Sequence, residues 1–259
     1  MLFLDAAYVG VDPAAPGRPI RYVALDRDLQ LVRNHSDGFE EVLSYLAGLE
    51  SAVVAVTAPQ QSNQGLMSQP EVRTRYDLQP NGDTWRDWRV AEYELRRRNI
   101  RLYNTPSDPK SAPSWVRTGF EFFKRLGKLG FRLFHSGDKP RARMMVEVQA
   151  HASYTVLLER IPFLKGTLEG RMQRQLKLYL EGVDIHNPMS VIEEITRHHL
   201  LSGHLPLEGL LETDELEALV AAYTAYLVGA RPSNVVQVGD PEEGLITLPV
   251  ETLKATYHS

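Results

Sequence analysis

Ala7-Tyr8-Val9-Gly10-Val11-Asp12 and Ile20-Arg21-Tyr22-Val23-Ala24-Leu25-Asp26 stand close together near the start of the chain, joined by the Gly/Pro-rich stretch Pro13 to Pro19. Both runs are rich in apolar, β-branched and aromatic residues and are bounded by turn formers, the pattern of paired strands. A tight turn at Asp26-Arg27-Asp28 leads to Leu29-Gln30-Leu31-Val32, which reads as a third strand and completes an antiparallel meander. Ser36 or Asp37 is placed to cap a helix whose apolar residues Phe39, Val42, Leu43, Leu46 and Leu49 recur at three- and four-residue steps. The helix delivers the chain to Ala52-Val53-Val54-Ala55-Val56-Thr57, a run typical of a strand buried on both faces. Three meander strands, a crossover helix and a central parallel strand make an α/β mixed sheet flanked by helices.

The first strand ends on a carboxylate. Charge on a strand that helices will cover is unfavourable unless it meets a cation or a proton, which makes Asp12 the first functional candidate. Asp12 also precedes Pro13, and an Asp there equally suits the opening of a turn.

Downstream, strands and helices alternate. Gln60 to Asp83 is polar, with Pro70, Pro80 and Gly82, and reads as a long loop bordering the central strand. A helix is expected over 84–99, closing on Arg96-Arg97-Arg98, whose charges suit a helix C-terminus. Ser114 to Gly130 reads as another amphipathic helix, Met144 to Gln149 as a strand, and helices follow over 152–159, 168–181, 191–201 and 213–228. Short strands at 235–238 and 245–248 close the chain. The whole is expected to form one domain over 1–259, with a mainly helical insertion at about 84–135.

Composition narrows the chemistry. A net charge of −4 argues against general polyanion affinity, although Arg117 to Arg143 is predominantly basic and the last part of the chain predominantly acidic. With no cysteine, disulfides, thiolate zinc sites and cysteine nucleophiles are excluded. The first residues lack a basic n-region and carry Asp5 within their apolar stretch, and no apolar run reaches the length of a membrane span. A soluble cytoplasmic protein without a membrane partner is expected.

Several short motifs then carry a resemblance. They are Val9-Gly10-Val11-Asp12, Ala55-Val56-Thr57-Ala58-Pro59 with Asn63-Gln64-Gly65, Arg89 to Ile100, and Trp115-Val116-Arg117-Thr118-Gly119-Phe120. Others are Glu147-Val148, Lys165 with Gly170-Arg171, Asp214-Glu215-Leu216-Glu217-Ala218, and Glu243 to Pro249. In this order and spacing, over nearly the whole length, the chain resembles the family called domain of unknown function 429, described as predicted RNase H-like nucleases.

The resemblance implies an RNase H-like mixed sheet and a metal-dependent nuclease or phosphodiesterase acting on nucleic acid. Such a site needs carboxylates from distant segments converging on one spot, because oxygen ligands hold Mg²⁺ or Mn²⁺ while leaving room for water and phosphate. The resemblance makes Asp12, Glu147, Asp214 and Glu217 the catalytic and metal-ligand candidates. Asp214 and Glu217 are three residues apart and share a helix face. An acid in a helix's first turn also complements its dipole, and Glu147 equally suits an outward position in an alternating strand. Lys165 and Arg171 are the phosphate-contacting candidates, together with the basic 117–143 region.

The chain departs from that pattern at Thr57, where the family usually places Asp before Ala-Pro; a hydroxyl supplies no negative charge. Thr57 is therefore expected to face substrate rather than metal and to impair catalysis. Gln149-Ala150 departs as well, since a Pro commonly follows the family's Glu-Val pair after one residue. Asp5 compensates for the missing acid only if the first strand runs in another register. The alternative is an inactive relative that keeps the fold and binds nucleic acid or protein without cutting.

Other chemistries fit less well. No Walker-type phosphate loop is present, and Ser62 and Ser153 lack a nucleophile-elbow setting. His198-His199 and His204 match no zinc spacing. His151, close behind Glu147, suits a general base, and a helix start explains it equally.

Overall fold

The computed structural model describes residues 7–78, 85–138, 141–194, 201–205 and 207–259. Strand β1 (Ala7–Asp12) runs antiparallel to β2 (Ile20–Leu25), with Val9 opposite Ala24 and Asp12 opposite Arg21. β3 (Leu31–Asp37) adds antiparallel to β2. After helix α1 (Phe39–Ala47), β4 (Ala52–Val56) lies parallel to β1, pairing Val11 with Val56.

The chain continues through α2 (Pro70–Arg75), α3 (Val90–Arg97), α4 (Ser114–Lys128) and the short β5 (Arg132–Leu133) to β6 (Arg143–Glu147), which is parallel to β4. Helices α5 (Ala150–Leu158), α6 (Leu168–Leu180), α7 (Met189–Glu194) and α8 (Thr213–Ala230) follow, then the antiparallel pair β7 (Val236–Asp240) and β8 (Gly244–Leu248). Among the described residues the sheet order is β3-β2-β1-β4-β6-β8-β7, with β5 paired to β6. The expected α/β mixed sheet, an antiparallel meander joined to parallel strands and flanked by helices, is what forms.

Each sheet face carries its own core, because alternate side chains of a strand point to opposite sides. Val9, Val11, Val54 and Val56 pack with Leu46, Phe122 and Leu126 on the face covered by α1 and α4. Tyr8, Val53, Ala55 and Val146 pack with Tyr154, Leu178, Leu219 and Tyr226 on the face covered by α5, α6 and α8. α8 is buried on nearly every side from Leu216 to Val228, as a helix apolar all round should be, and it lies directly on β1. The contact requires a glycine: a Cβ on Gly10 would stand 1.9 Å from the Ala218 carbonyl oxygen and 2.4 Å from the Ala222 nitrogen.

Several boundaries differ from the expectation. Leu29 adopts φ 60 within the turn, so the third strand starts at Leu31 and runs through polar Arg33 to Asp37 on the sheet edge. Gly38, not Ser36 or Asp37, occupies the N-cap of α1, without a side-chain cap. The stretch read as a loop from Gln60 holds α2. Thr84 lies outside the described residues, and α3 begins at Val90, where the Glu92 carboxylate accepts from the Arg89 backbone N–H at 3.1 Å and from its Nε at 2.9 Å. The helix expected over 191–201 is described only as α7, residues 195–200 with His198-His199 lying outside the described residues, as does Asp5. No helix among the described residues is long and apolar enough to cross a membrane.

Candidate functional site

β1 and β4 end side by side, and the Thr57 backbone N–H extends their ladder by donating to the Val11 carbonyl at 2.9 Å. Asp12 and Thr57 thus sit one step beyond Val11 and Val56, on the sheet face that α8 covers. The Thr57 hydroxyl donates to the Asp12 carboxylate. Because Gly10 lets α8 rest on β1, the first turns of that helix bring Glu217 and Asp214 to the same end of the sheet. A cleft of about 350 Å³ opens here, lined by Asp12, Thr57, Tyr103, Trp115, Lys165 and Glu217, with Arg101, Gln149 and His151 also on its walls. Clefts at the carboxyl ends of parallel strands are the usual ligand position in open α/β sheets. A larger and more apolar cavity, about 540 Å³ between the Pro16–Ile20 segment and α4, is lined by Arg117 of the basic region and by none of the carboxylate candidates.

Charge in the cleft is crowded. Burial and then the neighbouring Glu217 carboxylate push the Asp12 carboxyl up to about 7, against the pull of the Thr57 hydroxyl and the Lys165 ammonium; Asp214 adds to the rise. Lys165 pairs with Glu217 at 2.6 Å. The lysine is held by its backbone, since its carbonyl accepts from the Thr213 hydroxyl at 3.1 Å. Asp214 faces Arg21 at 3.1 Å, and the same guanidinium lies 3.7 Å from Glu215. His151 is held below its ordinary value, first by burial and then by Arg174 and Lys165, which favours the neutral ring.

The raised Asp12 value makes a stability prediction. Between the ordinary carboxylate range and about 7 the folded state binds a proton that the unfolded chain has released, so stability falls as pH rises through that window. Asp12→Asn is therefore expected to raise the melting temperature at pH 8 and to bring no gain at pH 4. Thermal melts at the two values check this; an equal shift at both would place the strain elsewhere.

Five of the sequence candidates meet in this cleft region and two do not. Asp12, Glu217 and Asp214 converge, with Thr57 and Lys165 beside them. Glu147 is a correction. It stands in the row Val11–Val56–Glu147, so its side chain leaves the opposite face of the sheet from Asp12. There it is fully buried and accepts from both terminal nitrogens of Arg89, one at 3.0 Å, and from the Gln60 backbone at 2.9 Å. The family resemblance made this Glu a ligand candidate, whereas its charge is neutralised by an arginine from another segment.

Arg171 is the second correction. It donates to the carbonyls of Leu211 and Leu210 at 2.8 and 2.9 Å and pairs with Glu212, so it fastens the entry to α8 instead of lining the cleft. In the basic 117–143 region, Arg125 pairs with Glu40 and Arg143 donates to the carbonyls of Leu49 and Leu129, tying elements together.

Sequence reasoning missed Arg101 and Tyr103, which lie in an irregular segment without periodicity, and Trp115 was visible only as part of a motif. It also missed the buried pairing of Arg89, visible only as the first residue of a motif.

Fold and cleft together define an α/β protein with a carboxylate–lysine cleft at the carboxyl ends of its central strands. No family model matches the chain, nor does any curated protein or solved structure.

Proposed function

We propose that this chain is an RNase H-like protein whose cleft cleaves phosphodiesters with one divalent cation held by Asp12 and Glu217. The observation that carries this reading is the convergence of a β1 carboxylate and an α8 carboxylate, where burial first and the Glu217 charge second push Asp12 up to about 7. The strand order β3-β2-β1-β4, antiparallel for three strands and parallel at the fourth, with the late helix α8 on β1, supports the fold part of the reading.

The donor set fits one ion and not two. Mg²⁺ is commonly bound through one or two carboxylates, with waters and substrate phosphate oxygens completing its shell. A second ion lacks ligands: Thr57 is neutral and already bonded to Asp12, and Glu147 is engaged by Arg89 on the other face. Among the described residues no group of three or more His, Cys, Asp and Glu side chains is arranged to hold a metal. A bound Mg²⁺ or Mn²⁺ supplies Lewis-acid polarisation of a phosphoryl oxygen. Lys165 offsets phosphate charge once it parts from Glu217, and neutral His151 accepts a proton from an attacking water. Asp214, paired to Arg21, adds negative field without needing to touch the ion.

Incubation of labelled single-stranded DNA and RNA with the pure protein and Mn²⁺ or Mg²⁺ tests the reading. Chelator-sensitive cleavage that disappears in Asp12→Asn and Glu217→Gln is expected; an unchanged rate in Asp12→Asn overturns it. A second reading, binding without cutting, is favoured by the Lys165–Glu217 pair, in which an ammonium already neutralises one carboxylate. It calls for binding that falls with salt and no turnover. Thr57→Asp separates the two, since activity gained on restoring the acid marks a weakened metal site.

A further inference from the structure

We infer that the cleft takes a single unpaired nucleotide, its base lying against Tyr103 and its phosphate directed toward Lys165 and the Asp12–Glu217 pair. The inference rests on the phosphodiester reading and narrows its substrate. Tyr103 and Trp115 form an edge-to-face pair with ring centres 5.9 Å apart, and both line the same cleft as the carboxylates. Trp115 is half-buried against the core beneath α4, which fixes the pair, whereas Tyr103 is 42% exposed and keeps ring surface open to an incoming molecule. Its position on the cleft wall, continued by Leu102 and Trp115, gives a flat apolar surface beside the charged groups.

A base offers its flat face only when it is out of a helix stack. An aromatic wall beside phosphate-handling groups therefore serves strand ends, single strands or free nucleotides, and a continuous duplex cannot reach it. Cleft size agrees: about 350 Å³ lies at the small end of ligand pockets, which run roughly 300–1,000 Å³, and suits one nucleotide unit better than a base pair. Arg101 and Lys165 on the walls supply cations for the flanking phosphates, and Gln149 adds an amide able to bond a base edge. Stacking is tolerant of base identity, so weak sequence preference is expected.

Fluorescence anisotropy on the wild-type protein in excess chelator, where cation-dependent turnover does not interfere, tests the inference with a labelled oligothymidylate, a blunt hairpin duplex, and thymidine monophosphate as competitor. The single strand is expected to bind at least about tenfold more tightly than the duplex, and Tyr103→Leu to weaken it by about tenfold, the loss of one stacked base. Tyr103→Phe should retain binding. Displacement by the monophosphate at concentrations similar to the oligomer's own supports a free nucleotide as occupant; resistance to it supports a strand. Equal affinity for duplex, or single-strand binding untouched by Tyr103→Leu, overturns the inference. Failure of cation-dependent cleavage with these binding effects intact would remove the phosphodiesterase reading alone. Cleavage that persists in Tyr103→Leu with unchanged KM would remove the stacking inference alone.

Discussion

Arg89→Leu is expected to destabilise the fold by about 3–5 kcal/mol, the usual effect of removing one partner from a buried ion pair. Arg89 is fully buried, and its guanidinium meets Glu92 at 2.9 Å, Glu147 through both terminal nitrogens, and the Glu243 carbonyl at 3.2 Å. Removing it leaves Glu147 without its counter-ion in a site where burial already pushes its carboxyl above the ordinary range. The loss spreads because the neighbouring acids organise backbone. Glu92 accepts from the Thr105 N–H at 3.1 Å, and Glu243 accepts from the N–H groups of Gln64, Leu66 and Val90 at 2.9, 3.1 and 2.9 Å. Glu147 itself holds Gln60, three residues past Thr57, and so steadies the segment that leaves the cleft.

Denaturant titration reads the effect. The double variant Arg89→Leu/Glu147→Leu is expected to recover part of the loss, since an apolar pair of similar volume avoids the uncompensated charge. A single variant within about 0.5 kcal/mol of wild type, the range of ordinary surface changes, would mean the network carries no stability.

The same network explains what the sequence left illegible. β1, β2 and β4 could be placed because β-branched runs bounded by turn residues leave few alternatives, α4 and α6 because their apolar positions recur at helical steps, and α8 because its apolar run is too long for a strand. Polar edge strand β3 was misplaced: its Arg33-Asn34-His35-Ser36-Asp37 run has no alternation, and its hydrogen bonds come from β2 instead of from its own composition. Glu147 was visible as an anomaly, a charge in an apolar strand, but its explanation lies 58 residues away at Arg89, and no local pattern joins the two. Asp12 was legible as a candidate from its strand end, and Asp214 and Glu217 only through the family resemblance, helical spacing adding that they share a face. Their meeting was not, because it depends on how close α8 comes to β1, a distance set by one missing side chain.

That dependence makes Gly10→Ala the second large-effect change. The added methyl would fall 1.9 Å from the Ala218 oxygen and 2.4 Å from the Ala222 nitrogen, both backbone atoms with no rotamer to yield. Overpacking of a core typically costs about 1–3 kcal/mol when side chains can shift, and here the helix itself must move, so a loss of about 3 kcal/mol or more is expected. Displacing α8 also carries Glu217 and Asp214 away from Asp12, which removes part of what raises that carboxyl to about 7. In whatever fraction remains folded, a carbon-detected titration should therefore show Asp12 ionising at lower pH than in wild type. Gly127→Ala provides the contrast: this glycine lies inside α4, with nothing within 4 Å of an added Cβ, and the change is expected to stabilise by about 0.5–1 kcal/mol through helix propensity. Were both variants to melt alike, the close β1–α8 contact would not be setting the separation of the two carboxylates, and the cation-holding geometry would need another origin.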